Sequence, residues 1–114
     1  KLAGEWLVRD YTRMHKLSHT ILRPSAVYGP LDVEDRVVSK FLLNAMRGNT
    51  VKVNGPEERL DFTYVDDVAE GIANASVSDN TANMTYNVTR GSSRSLLEAA
   101  ELAVKIDGFI GCFF

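Results

Sequence analysis

Few residues in this chain have a type and spacing that could do chemistry. Lys1 offers an ammonium group at the start of a helical pattern. Taken alone it is a terminal charge on a solvated helix. His15 and His19 stand four positions apart, a spacing that lets two imidazoles share one helix face and hold a metal ion. The helical pattern ends between them and no third ligand is near, so no metal site is expected. Asp66 and Asp67 resemble an acid/base pair in type. Adjacent residues at a helix start do not easily face one substrate, however, and N-terminal capping explains both acids. A single cysteine excludes an internal disulfide, and no Cys/His cluster points to zinc.

The elements that must position these groups alternate between helix and strand. Lys1 to about Lys16 reads as a helix, with Leu2, Trp6, Leu7, Tyr11 and Met14 on one apolar face. Glu5 and Arg9 sit i,i+4 with the acid first, the better orientation. This helix has no N-cap, so it is expected to begin further upstream. Trp6 and Tyr11 are assigned to the core or to a subunit interface. His19 to Arg23 is a strand stopped by Pro24, which has no N–H for a ladder. Ser25 to Asp35 is a loop. Arg36 to Arg47 is a second helix, with Val37, Val38, Phe41, Leu42 and Ala45 on one face and Gly48 as its stop. Val51 to Val53 and Asp61 to Val65 read as strands. Asp66 or Asp67 caps a helix to about Ala75. Met84 to Val88 is a further strand. Ser95 to about Ile106 is the last helix, opened by the capping box Ser95/Glu98. Tyr28 is assigned to core packing. Strands alternating with helices argue α/β architecture. The tail from Gly108 to Phe114 is apolar and without periodicity.

Composition narrows the class. The 114 residues contain 45% hydrophobic and 25% charged residues, near the globular average, which argues against wholesale disorder. Thirteen basic and fifteen acidic residues give a net charge of −2, so nucleic acid and anionic membranes are not default partners. No apolar stretch approaches the roughly 20 residues that span a bilayer. No apolar h-region follows Lys1 to Glu5, so no secretory signal is read and a cytoplasmic location is expected.

Three segments together resemble one family. They are Lys1-Leu2-Ala3-Gly4-Glu5, then Leu22-Arg23-Pro24-Ser25-Ala26-Val27-Tyr28-Gly29-Pro30, then Asp61-Phe62-Thr63-Tyr64-Val65-Asp66-Asp67-Val68-Ala69. Tyr86-Asn87-Val88, with Gly91 and Ser95-Leu96 after it, adds a weaker fourth. Their order resembles the C-terminal part of the NAD-dependent epimerase/dehydratases, extended short-chain dehydrogenase/reductases that act on nucleotide sugars. The resemblance implies an incomplete Rossmann-type, doubly wound fold over residues 1–106, with a portion of the small substrate-binding subdomain. Residues 107–114 are left as an irregular tail.

The resemblance also implies roles. Lys1 is similar to the lysine of the family's Tyr-x-x-x-Lys pair, where an ammonium lowers the pKa of a tyrosine that ordinarily titrates near 10. Lys1, Pro24 and Ser25 would then lie against NAD or NADP, and Ala26, Val53, Arg59 and Asn87 on the nucleotide-sugar side. Ala26 stands where many members carry an asparagine. Arg59 is displaced by one position from the family's diphosphate arginine, whose place is taken by Leu60. The tyrosine, its Ser/Thr partner and the glycine-rich dinucleotide turn are not found in these 114 residues, so the chain alone is expected to be inactive. A homodimer is expected of the parent enzyme. The alternatives are a non-catalytic NAD(P)-binding or sensor protein on the same fold and an inactive truncated product.

Overall fold

A computed structural model describes residues 1–110. In chain order the elements are α1 (Leu2–His15), β1 (Thr20–Pro24), β2 (Val27–Tyr28), α2 (Val37–Met46), β3 (Arg59–Leu60), β4 (Thr63–Tyr64), α3 (Val65–Val77), a 3-10 turn (Asp79–Thr81), β5 (Met84–Val88), β6 (Arg94–Ser95) and α4 (Leu96–Ile110). The architecture is α/β with parallel pairing. β1 and β5 run parallel, from Thr20 opposite Met84 to Pro24 opposite Val88. Pro24 ends its strand, as its missing N–H requires. β2 and β4 pair parallel, and β3 with β6 antiparallel.

Several boundaries differ from the sequence reading. The stretch read as a loop after Ser25 contains β2, because Val27 and Tyr28 find Thr63 and Tyr64 as partners. Val51 to Val53 forms no strand. Among the described residues no second strand lies beside it, and Val51 and Val53 instead rest half-buried against Phe41, Ala100 and Ala103. The strand read over Asp61 to Val65 shrinks to Thr63–Tyr64, since Val65 already begins α3. Neither Asp66 nor Asp67 caps that helix. Tyr64 holds the N-cap position without a side-chain bond, and both acids sit in the first turn, where they still complement the helix dipole. The last helix runs to Ile110 instead of Ile106; the rest of the expected tail, residues 111–114, lies outside the described residues.

Two packing centres hold the fold. In one, α2 and α4 meet through Phe41, Ala100 and Ala103, with Val37, Leu42 and Ala99 around them. Alanines on α4 let the helices approach closely, and Phe41 fills the space between them. Gly48, at φ +65, ends α2 in the left-handed conformation that glycine adopts without cost. The other centre places α3 against β1, where Val68 and Ile21 are buried.

α1 is different. None of its residues is buried. Leu2, Trp6, Leu7, Tyr11 and Met14 are each more than half exposed. Of the two readings given for Trp6 and Tyr11, core or subunit interface, the core is corrected, because both side chains are more than half exposed among the described residues. A radius of gyration of 18.3 Å, against roughly 13 Å for a compact domain of this length, describes the same open arrangement.

Candidate functional site

The site assembles at the carboxyl end of β1, where ligands sit in open α/β sheets. Lys1 occupies the N-cap position of α1, and its carbonyl accepts the Glu5 N–H at 3.2 Å. One turn along, Glu5 takes the Arg23 guanidinium in a two-pronged grip: Nε donates to Oε1 at 2.7 Å and Nη2 to Oε2 at 2.6 Å. That pair holds the Glu5 carboxyl below its usual range and raises Arg23 in turn. Arg9 donates to Thr85 Oγ1 at 3.3 Å, and Thr12 bonds His19 Nδ1 at 2.9 Å. These three contacts lay α1 along β1 and β5, so the start of α1 lies within one turn of the strand end that leads to Pro24 and Ser25. The role of Glu5 was missed in the sequence, where only its i,i+4 relation to Arg9 stood out.

Past Pro24 the chain turns sharply. Ala26 sits at φ +40, a left-handed conformation uncommon for alanine. The strain is held by a ladder bond, since the Ala26 carbonyl accepts the Thr63 N–H at 3.3 Å. Two residues on, Tyr28 meets Tyr64 edge to face with centroids 5.6 Å apart. Tyr28 is half-buried, close to its expected packing role.

Beside this turn lies a pocket of about 110 Å³. Ala26, Leu60 and Phe62 line it together with Asp32 and Arg36. Arg36 precedes α2 and approaches Asp32 at 3.7 Å through Nε. Asp32 also accepts its neighbour's N–H, from Val33, at 2.9 Å. Its second oxygen, Oδ2, is buried without a partner. Sequence reading used Arg36 only as the start of a helix and Asp32 only as loop, and no spacing rule ties either to Ala26.

The remaining expected site residues fall in three places. Arg59 is engaged by the loop before β6: Nε donates to Ser93 Oγ at 3.2 Å, Nη2 donates to the Ser93 carbonyl at 2.8 Å, and Glu98 lies 3.8 Å away. It does not line the pocket beside Ala26. Val53 packs on the α2–α4 core. Asn87 is exposed on β5, opposite Arg23. Asp61 Oδ2 accepts the Gly91 N–H at 2.9 Å and so fixes the loop after β5 to the segment between β3 and β4. His15 stacks on Tyr11 while His19 bonds Thr12. No group of three or more metal-ligating side chains occurs among the described residues, and no described helix is long and apolar enough to cross a membrane.

Comparison with known proteins decides the family. The model of the NAD dependent epimerase/dehydratase family matches residues 1–89. The chain belongs to that family. Among curated relatives, UDP-glucuronic acid decarboxylase 6 of Arabidopsis thaliana is 34% identical over 104 residues, which is 89% of this chain and 30% of the relative. Among solved structures, UDP-glucose 4-epimerase of Thermotoga maritima with UDP-glucose superposes with a TM-score of 0.86 at 26% identity, covering 96% of this chain and 36% of that one. The UDP-glucose 4-epimerase of Thermus thermophilus in complex with NAD gives 0.81 at 30% identity, covering 93% and 36%. The chain therefore spans about a third of the length of these epimerase/dehydratase relatives, and its α/β arrangement is a part of their Rossmann-type fold.

Proposed function

We propose that the chain is the part of an NAD-dependent nucleotide-sugar epimerase, dehydratase or reductase that supplies the lysine and much of the substrate side of the site. The observation that carries this reading is the Glu5–Arg23 grip. It holds the start of α1, and so Lys1, beside the strand end that leads to Pro24 and Ser25. The relatives' names support the substrate class, since they include a UDP-glucuronic acid decarboxylase and an epimerase with UDP-glucose.

In this reading Lys1 stabilises the phenolate of a tyrosine four positions before it, which lets that phenol exchange a proton near neutral pH. The residues present suit one end of the cofactor. Pro24 is exposed and Ser25 half-buried at the carboxyl end of a parallel strand, open to a nicotinamide ring. The glycine-rich turn that cradles the pyrophosphate is not among the 114 residues. When bound, NAD accepts and returns the hydride. Ala26, Val53 and Asn87 are assigned to the nucleotide sugar. Arg59 offers a guanidinium on the same side, already committed to Ser93 and Glu98.

The test is the coding sequence immediately upstream of the Lys1 codon. A tyrosine four positions before Lys1, with a glycine-rich strand–turn–helix further back, is the expected result. A start codon or an unrelated domain there would exclude catalysis by this mechanism.

A further inference from the structure

We infer that Arg36 is the residue through which this chain grips a phosphate of its ligand. The inference rests on the nucleotide-sugar reading, which supplies a diphosphate as the ligand's anionic part. The pocket beside Ala26 has the dimensions for one such group. Its volume is about 110 Å³, room for one tetrahedral oxyanion. The pocket opens where Ala26 follows the carboxyl end of β1, the end at which ligands of open α/β sheets bind.

Its side-chain donors are two. Ala26, Leu60 and Phe62 bring none, Tyr28 brings a phenol, and Arg36 brings the sole guanidinium among the described residues of the lining. A guanidinium has five N–H donors. The nearest approach of Asp32 is to Nε at 3.7 Å, too long for a hydrogen bond, which leaves the guanidinium hydrogens to make the paired bonds that match a phosphate. Arg36 stays substantially exposed, with 57% of its side chain open to solvent. Asp32 thus aims the fork while weakening its charge, and its buried, unpartnered Oδ2 in the same lining opposes an anion, so the gain from a phosphate is moderate. Arg59 has no such freedom, since two of its nitrogens already donate to Ser93.

The experiment is a titration of the full protein that contains this chain with UDP and, separately, with uridine, followed by protein-observed NMR. The unsubstituted protein, Arg36→Gln, Arg36→Lys and Arg59→Gln are compared. UDP binds the unsubstituted protein more tightly than uridine does. Arg36→Gln weakens UDP by about tenfold, the equivalent of one charge-assisted hydrogen bond. It leaves uridine binding unchanged, which also shows that the variant is folded. Arg36→Lys, a point charge without the fork, falls between, and Arg59→Gln loses less UDP affinity than Arg36→Gln. The inference is overturned if Arg36→Gln leaves UDP unaffected or weakens uridine equally. It is also overturned if UDP binds no better than uridine, or if the loss follows Arg59→Gln instead. In those cases the nucleotide-sugar reading survives. Binding of neither compound to the unsubstituted protein would overturn that reading and this inference together.

Discussion

Glu5 and Arg23 stand on different elements and share two hydrogen bonds, at 2.7 and 2.6 Å, between the first turns of α1 and the end of β1. Because the pair is at the surface, solvent and salt limit its strength. Its effect is therefore on position more than on global stability. It sets where Lys1 stands relative to Pro24 and Ser25.

The first prediction follows from the sign of the Glu5 shift. Hydrogen bonding to Arg23 comes first among the causes that depress the folded pKa. A depressed carboxyl contributes fully above its unfolded value, about 4.3, and loses that contribution as pH falls through the lower folded value. Acidification from about pH 5 should therefore loosen α1 from β1. A side-chain NMR titration should place the Glu5 midpoint below that of an ordinary glutamate. Amide protection in α1, corrected for the intrinsic pH dependence of exchange, should fall over the same window, and Glu5→Gln should remove the acid step. A Glu5 midpoint at the ordinary value would show that the grip is not formed in solution.

A second prediction concerns the start of α4. Ser95 Oγ accepts the Glu98 N–H at 3.1 Å while Glu98 Oε2 accepts the Ser95 N–H at 2.7 Å. Ser95 is 8% exposed, so its loss is not made good by water. Ser95→Ala should cost about 1 kcal/mol, read as a lower urea midpoint with an unchanged slope. Glu98→Gln keeps an acceptor and should cost less. Equal midpoints for Ser95→Ala and the unsubstituted chain would remove the box from the account.

The capping box was legible in the sequence because it is a local device: four consecutive residues contain both donors and both acceptors. The same is true of α2, whose apolar face and Gly48 stop are set within a dozen residues. β2, β3 and β6 were not legible. Each is a two-residue strand that exists through a partner more than 30 positions away. Val51-Lys52-Val53 shows the converse, since its alternation is strand-like yet no partner meets it and burial alone orders it. At the site, family motifs located the turn after Pro24. They said nothing of Arg36, whose role depends on which side chains share a pocket with Ala26.

Gly29 supplies a third prediction. A Cβ added there would run into Cγ1 of Val65, at the start of α3. The chain leaving β2 thus passes α3 with room for a hydrogen and not a methyl group. Gly29→Ala should destabilise by about 1–3 kcal/mol, the usual range for overpacking. Val65→Ala in the same chain should recover most of that loss, because it removes the clashing atom. Additive losses in the double variant would locate the cost elsewhere than this contact.

The fourth prediction turns on Ala26. Its φ of +40 puts an L-residue where Cβ crowds the backbone, at a cost of about 1–2 kcal/mol. The fold holds it there because the Ala26 carbonyl must reach the Thr63 N–H to join β2 with β4. Asparagine visits this conformation more readily than alanine, since its short amide bonds locally to the backbone. Ala26→Asn should therefore stabilise the chain by about 0.5 kcal/mol, a fraction of that cost. Ala26→Val should destabilise it, because a β-branched side chain is worse at positive φ. Urea unfolding of the three chains orders them Asn, Ala, Val from most to least stable. Since Ala26 lines the Arg36 pocket, the asparagine also places an amide at the wall of that pocket. A stability order with valine above alanine would mean that the turn relaxes in solution, and the pocket beside it would no longer have the shape that admits one phosphate.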